Sequence, residues 1–398
     1  MSDNLRSKPW RKSEYLGDKT TSFEQKEVIR QRLKDNIINY KPLHELMPLH
    51  HTFPRVNILL FGAIGSGKSS VFNTISSVFK GKIFDIAPVG RSTSSISTKL
   101  TKFQVMYGGI AEQLRLTIWD TRGIDETHLM TSQTMKILLE GKLPDRYPLD
   151  PSSEVHLDSP GINTAPTLCD VVHCVSIIVD ASTIDDMDDD IYQNIREMQT
   201  VMISSDVPYV IMLTNIDKIC ELTKADTTNA YKSVRIRDAV AKVAKKFGVV
   251  QTAVFFMKCY EEETFLDVNV DITALLALSG ILHNCETYLH NFYETVIELS
   301  SAQSSVEEDN KTLKAEIAKL KGKINVYTNQ YNEKSIERTK LKKAMEEKVG
   351  YGEKMLKIME YGKMKIQASF IETEIVALRV KRDRLKMECT DLLNSPDL

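Results

Sequence analysis

The chain has 398 residues, which is too many for one small hydrophobic core and predicts one large domain with additional segments. Its net charge of −2 excludes the strongly basic balance of a specific nucleic-acid-binding protein. The six cysteines form no C-x-x-C pair, which argues against zinc and disulfide frameworks. Because we find no targeting signal and no apolar run near the roughly 20 residues of a membrane span, the sequence predicts a cytoplasmic protein without a transmembrane segment.

The N-terminal part of the chain is polar and charged. Residues 1–22 are predicted to lack regular structure, and a short helix is predicted at about 23–38, before the helix-breaking YKP at 40–42. We therefore treat residues 1–54 as a polar segment that contains one short helix.

From residue 56 onward, apolar strands alternate with helical segments, which predicts an α/β fold with a doubly wound, mostly parallel sheet over residues 55–300. A Pro-, Ser-, Asp- and Gly-rich insertion at 141–168 interrupts the alternation, and a helix from about 271 closes the domain. The predicted strands are 56–61, 114–119, 173–180, 208–214 and 253–257, and the predicted helices lie near 69–79, 131–140, 188–203 and 231–247.

The segment between the first strand and the next helix, GAIGSGKS at 62–69, fits the phosphate-loop pattern G-x-x-x-x-G-K-[ST]. Glycines allow backbone N–H groups to surround phosphate oxygens at the positive end of the following helix. The lysine is expected to contact the β- and γ-phosphates, and the serine after it to bind Mg²⁺. The predicted nucleotide contacts in this segment are Gly62, Ile64, Gly65, Ser66, Gly67, Lys68, Ser69 and Ser70.

A second motif, DTRG at 120–123, follows a strand and fits D-x-x-G. Asp120 is expected to hold Mg²⁺ through water, and the Gly123 N–H to contact the γ-phosphate. A further hydroxyl within 90–98 should reach Mg²⁺. We select Thr93 as this ligand and as a candidate catalytic residue, with Ser94 and Thr98 as alternatives. The predicted metal ligands are therefore Ser69, Thr93 and Asp120.

A third motif, TNID at 214–217, closes a strand where GTPases read the base. The Asp217 carboxylate can accept hydrogen bonds from guanine N1 and N2, which adenine does not offer. Thr214 and Asn215 are also predicted contacts, although Asn215 stands where such motifs usually carry lysine, which predicts weaker affinity. Lys258, in the degenerate loop after the last strand, is the remaining predicted nucleotide contact.

Hydrolysis is predicted to be slow. The glutamine that orients the attacking water in Ras-like enzymes is replaced by Ile124, and Ile64 places a branched side chain over the expected γ-phosphate. Arg91 and Arg122 are candidate cations, although surface positions are the preferred interpretation. The acidic run at 185–190 precedes a helix, and we interpret it as a helix start rather than a metal site.

With these motifs in place, the chain resembles the interferon-induced protein 44 and 44-like family of GTP-binding proteins between about residues 9 and 298. The resemblance implies a P-loop GTPase domain in a cytosolic, immune-inducible protein with antiviral or antiproliferative roles. It is carried by PWRK at 9–12, INYKP at 38–42, ILLFGAIGSGKSSVFN at 58–73, PDRY at 144–147, HCVSIIVDA at 173–181 and LDVNVDITALLALSGIL at 266–282.

The remaining segment, 301–398, is predicted to be an α-helical coiled-coil arm. Apolar residues repeat with spacings of three and four over 306–331 and 364–392. Gly350 and Gly352 separate the two seams, so the arm is either a helical hairpin turning at 349–353 or a parallel dimer. Seams of similar length favour the hairpin. Self-association or a helical protein partner is expected.

Three functions remain open from the sequence. The leading hypothesis is a slow GTPase that uses GTP or GDP with Mg²⁺ and acts as a nucleotide-dependent switch through its arm. The second is a scaffold that binds GTP or GDP without hydrolysis, which the missing glutamine supports. The third, an ATPase, is disfavoured by Asp217 and by the order of the motifs.

Overall fold

The computed structural model describes residues 5–6, 8–11, 22–44, 53–84, 99–108, 112–149 and 154–295. The chain divides into two compact units, Met1–Leu289 and His290–Leu398. The second unit is described only at 290–295, where it is helical. The predicted coiled-coil arm, with its expected turn at 349–353, lies outside the described residues and stays a prediction.

A six-stranded sheet forms the centre of the first unit, in the order β2-β3-β1-β4-β5-β6. Every neighbouring pair is parallel except β2 with β3, so the predicted doubly wound, mostly parallel sheet is confirmed. The strands are β1 Val56–Gly62, β2 Thr101–Met106, β3 Gln113–Asp120, β4 Cys174–Asp180, β5 Tyr209–Thr214 and β6 Val254–Phe256.

Helices cover the sheet on both sides, since every residue of β1 is buried and successive strand side chains point to opposite faces. The described helices are α1 Phe23–Ile38, α2 Lys68–Lys80, α3 Ser132–Leu139, α4 Asp189–Ser204, α5 Ile216–Ile219, α6 Glu221–Ala225, α7 Val234–Phe247 and α8 Val268–Thr295. The four long helices predicted within the alternation correspond to α2, α3, α4 and α7. The helix predicted from about 271 begins three residues earlier, at Val268.

Strand β2 is missing from the predicted elements. It lies at the edge of the sheet, antiparallel to β3, and only Val105 among its residues is buried. Its Phe103 ring stacks on Phe72 of α2 at a centroid distance of 4.3 Å. An edge strand of this kind carries polar residues on its open side, so it lacks the continuous apolar run that marks the buried parallel strands.

Residues 8–11, part of the segment that is predicted to lack regular structure, form no helix or strand, but they pack beside the edge of the sheet. Trp10 Nε1 donates to the Ala230 carbonyl oxygen at 2.8 Å, and Arg11 Nη1 donates to that of Val254 at 2.6 Å. The Trp10 ring also lies 5.8 Å from the Phe256 ring. The polar N-terminus is therefore anchored beside β6.

Helix α8 is, among the described residues, the one helix long and apolar enough to cross a membrane by length and composition, with a mean hydropathy of 1.3. In the structure, 67% of that apolar window is buried inside the protein. Its Asp271 side chain is also buried and forms an ion pair with Arg30. Packing within the domain thus accounts for its apolar character.

The docking of the N-terminus predicts that Trp10→Ala lowers the free energy of unfolding by about 2 kcal/mol, because it removes a hydrogen bond and a half-buried ring. Urea unfolding of the full chain, followed by circular dichroism, measures this change. Lys8→Ala is the matched control, since Lys8 is exposed two residues away. Equal stability of the parent protein and Trp10→Ala would contradict the docking.

Candidate functional site

The loop between β1 and α2 carries the predicted phosphate-binding residues at the carboxyl end of the parallel strands. Gly62 closes β1 against β4, where an added Cβ would lie only 2.4 Å from the Ile178 carbonyl oxygen. Gly67, directly before α2, has φ of 97°, a conformation that side chains with a Cβ rarely adopt. Gly65 and Ser66 form the turn between them, and the Ser66 N–H donates to the Ala63 carbonyl. The two outer glycines are therefore required by the loop geometry.

Helix α2 begins within this loop and supplies backbone donors. Its first helical hydrogen bond runs from the Val71 N–H to the Gly67 carbonyl at 2.9 Å. The N–H groups of Lys68, Ser69 and Ser70 precede that bond, so the helix itself offers them no acceptor. The positive end of the helix dipole adds to their attraction for an anion. The loop thus has the geometry of a cradle suited to an anion.

Lys68 is only 7% exposed, and its ammonium group lies inside the cradle. Its Nζ donates to the carbonyl oxygens of Gly62 at 3.0 Å and Ala63 at 2.8 Å. Burial lowers the pKa of Lys68 to about 8, although the neighbouring Asp120 carboxylate opposes this shift. A phosphate group at this position would restore the full positive charge.

Ser69 and Asp120 meet across the loop, which joins the first two sequence motifs in space. The Ser69 Oγ donates to Asp120 Oδ2 at 2.6 Å. Asp120 is 1% exposed, and its Oδ1 has no hydrogen-bond donor among the residues that the structure describes. Burial raises the pKa of Asp120, while the Ser69 hydrogen bond and the Lys68 charge act in the opposite direction.

This pair fits a magnesium ion. Mg²⁺ prefers oxygen ligands and is usually held by one or two protein oxygens together with waters and substrate phosphates. A buried carboxylate oxygen that lacks a donor and an adjacent hydroxyl meet that requirement. No group of three or more His, Cys, Asp or Glu side chains suited to a metal occurs in the described part of the chain, so the described residues hold no all-protein metal cage.

The segment after Asp120 runs directly over the cradle. The Ile64 N–H donates to the Ile124 carbonyl at 2.9 Å, and the Ile124 N–H donates to the Gly62 carbonyl at 3.2 Å. A Cβ added to Gly123 would lie 2.9 Å from both the Ile64 Cα and the Lys68 Nζ. Gly123 is therefore placed beside the ammonium group, as a γ-phosphate contact requires.

The base-reading motif is tied to the phosphate loop by Thr214. Its Oγ1 donates to the Ser66 carbonyl at 2.7 Å, and its methyl group lies 3.2 Å from the point that a Cβ on Gly67 would occupy. Asn215 has a left-handed backbone with φ of 54°, and its Nδ2 donates to Asp180 Oδ2 at 2.6 Å. Asp180, at the end of β4, is a site residue that the sequence analysis missed; its position as an acid closing a buried strand was the available signal.

Asp217 and Lys258 lie on the same side of the site. Burial raises the pKa of the Asp217 carboxyl, and the positive charge of Lys258 is among the effects that oppose this. The Lys258 ammonium forms an ion pair with Glu263 at 2.6 Å, which was not anticipated from the sequence. Asp217 is therefore a partly desolvated acceptor, which suits recognition of N–H groups on a base.

Thr93, its alternatives Ser94 and Thr98, and the candidate cation Arg91 lie outside the described residues. Arg122 is half-buried between Asp120 and Gly123. Interpretation of the acidic run as a helix start is confirmed, since the Asp188 side chain caps α4 by accepting from the N–H groups of Asp190 and Ile191.

The strand order and the glycine loop between β1 and α2 place the domain in the P-loop class of nucleotide-binding folds, of the GTPase type.

No protein-family model matches the chain. The predicted resemblance is confirmed by curated relatives. Interferon-induced protein 44 of Pan troglodytes and interferon-induced protein 44-like of Homo sapiens are each 28% identical over 264 residues, or 66% of this chain. The chain spans 58% and 57% of those relatives' own lengths.

A solved structure, Toc33 from Arabidopsis thaliana in complex with GDP and Mg²⁺, is 12% identical with a TM-score of 0.33. That match covers 67% of this chain and 92% of the Toc33 chain.

The buried Asp120 carboxylate leads to a test of the metal assignment. Asp120→Asn removes a charge that burial disfavours but keeps an oxygen that accepts from Ser69. We expect the variant to unfold in Mg²⁺-free urea at the same or a higher midpoint than the parent protein, and to lose the Mg²⁺-dependent rise in melting temperature with a nucleoside diphosphate. Asp158→Asn, at an exposed acid, is the control. Retention of the Mg²⁺ effect would contradict the assignment.

Proposed function

We propose that this protein binds guanine nucleotides with Mg²⁺ and acts as a slow GTPase switch in an interferon-type innate immune response. The observation that carries the proposal is the meeting of three motifs at one edge of the sheet. Lys68 lies in the phosphate loop, Asp120 is hydrogen-bonded to Ser69, and Thr214 ties the base-reading strand to the same loop.

Guanine is the base that this arrangement favours. The Asp217 carboxylate can accept from two neighbouring N–H groups, which guanine presents at N1 and N2 and adenine does not. Partial burial strengthens such hydrogen bonds because water competes less well. Adenine would leave the carboxylate without a donor, so an ATPase activity is disfavoured.

Each part of the site has a distinct task in this proposal. The N–H groups at the start of α2 and the Lys68 ammonium hold the phosphates, while Ser69 and Asp120 would hold Mg²⁺. When bound, Mg²⁺ would neutralise charge that develops on the phosphate oxygens. Thr93, within 90–98, is the proposed third ligand of Mg²⁺, through its hydroxyl group, and the candidate catalytic residue.

The residues after Asp120, which run over the cradle, support the proposal that hydrolysis is slow. Ile124 occupies the position from which a glutamine would orient water, and both of its backbone groups are hydrogen-bonded to the phosphate loop. The same observation favours a second candidate function, a scaffold that binds GTP or GDP without hydrolysing it. Single-turnover measurements with labelled GTP distinguish the two functions.

The biological setting is supported by the names of the curated relatives, which are interferon-induced proteins. A cytoplasmic location agrees with that setting. We propose that residues 301–398 carry the output of the switch, by self-association or by binding a helical protein partner, since their apolar seams need a cover.

Base recognition predicts a change of specificity. Asp217→Asn replaces an acceptor oxygen by a donor that matches the 2-oxygen of xanthine. The variant should bind GDP at least about 100-fold more weakly than the parent protein and gain affinity for XDP. Competition against a fluorescent GDP analogue measures both effects. Asp238→Asn, at an exposed acid on α7, is the control and should change neither the GDP affinity nor the XDP affinity. Unchanged GDP affinity in Asp217→Asn would contradict the assignment of Asp217 to the base.

The pKa of Lys68 predicts a pH dependence of nucleotide binding. The charged form binds phosphate, and this form predominates below the pKa of about 8. Above that pH, binding must take up a proton, so the Kd for GDP should rise by up to about tenfold per pH unit. Titrations between pH 7 and 9 measure this rise. Lys68→Arg keeps its charge over this range and should show a flat profile; parallel profiles for both proteins would contradict the prediction.

A further inference from the structure

Helix α1 precedes the alternating strands and helices, and three of its basic side chains contact other parts of the domain. Lys26 Nζ contacts Asp226 Oδ2 at 2.6 Å and Asn269 Oδ1 at 2.7 Å. Lys34 Nζ donates to the Val78 carbonyl at 2.9 Å. Arg30 Nη1 lies 3.3 Å from Asp271 Oδ2 on α8. The helix is therefore connected to both α2 and α8.

The Arg30 contact continues to the loop after β6. Asp271 is 1% exposed, and its second oxygen, Oδ1, accepts from the Tyr260 hydroxyl at 2.7 Å. The same hydroxyl accepts from the Asp267 N–H at 2.8 Å. A buried carboxylate requires such partners, because an uncompensated charge in the interior is costly. Arg30, Asp271 and Tyr260 thus form one continuous chain of hydrogen bonds.

The loop is also held on its other side. The Tyr260 N–H donates to Thr74 Oγ1 on α2 at 3.0 Å, and Thr74 is fully buried. Cys259 is 3% exposed, and the loop begins at Lys258, whose charge opposes the burial effect on Asp217. The backbone of 258–260 is consequently fixed between the phosphate-loop helix and the contact with α1.

We propose that Arg30 is a positioning residue for the guanine base, acting through Asp271 and Tyr260 on the backbone of the 258–260 loop. The inference rests on the proposed function and extends it. Guanine presents its 6-oxygen as an acceptor. The Tyr260 N–H is already bonded to Thr74, so in this proposal the donors to that oxygen are the N–H groups of Lys258 and Cys259, two residues that interact electrostatically with Asp217. A helix outside the nucleotide fold would thereby set the rate at which the base is released.

The test compares GDP with the diphosphate of 2-aminopurine riboside, which lacks the 6-oxygen and the N1 hydrogen but keeps the 2-amino group; for each ligand, the rate of a variant is compared with that of the parent protein. Dissociation rates are measured for the full chain and for Tyr260→Phe, Arg30→Gln and Arg30→Lys. Tyr260→Phe and Arg30→Gln should release GDP about tenfold faster, the effect of one hydrogen bond, and release the 2-aminopurine ligand at the parent rate. Arg30→Lys should restore part of the loss.

Arg32→Gln is the matched control, since Arg32 is an exposed arginine two residues along the same helix. It should leave both dissociation rates unchanged. Equal acceleration for the two ligands in Tyr260→Phe and Arg30→Gln would show a general structural role and overturn the inference, as would no acceleration for GDP. If the parent protein binds neither ligand, the proposed function itself fails, and the inference fails with it.

Discussion

The candidate site depends on a buried cation at the end of β1. The Lys68 ammonium is held by two backbone carbonyl oxygens of its own loop, and burial lowers its pKa to about 8. Keeping a charge in such a place costs free energy that a phosphate group would recover. Gly62 and Gly67 allow the loop around this group to pack closely against Ile178 and Thr214, where a Cβ would be crowded. The site is thus prepared for an anion at some cost in stability.

The other functional loops are arranged around that cation. Asp120 accepts from Ser69, the next residue, and its charge acts on the ammonium group. Gly123 lies beside that group, and Thr214 links the end of β5 to the Ser66 carbonyl. These contacts join the ends of β1, β3 and β5, which converge because parallel strands present their carboxyl ends at one edge of a sheet. The residues predicted to bind phosphate and to read the base are therefore joined by short hydrogen bonds.

Much of this could be predicted from local patterns. The five buried strands are continuous apolar runs, and α1 begins as expected because Ser22 and Gln25 form a capping box. What escaped prediction depends on pairs distant in sequence. Asn215 meets Asp180 across 35 positions, and Arg30 meets Asp271 across 241. Such pairs leave no periodic pattern in the sequence. The contact between Trp10 and Ala230 could not be predicted for the same reason.

The most direct measurement of the central claim is calorimetric titration of GDP and ADP, with Mg²⁺, into the parent protein and Lys68→Ala. Our account predicts that the parent protein binds GDP much more tightly than ADP. It predicts that Lys68→Ala binds GDP at least about 100-fold more weakly, because the phosphates lose a charged hydrogen-bond donor. Equal GDP affinity in the two proteins, or a preference for ADP, would contradict it.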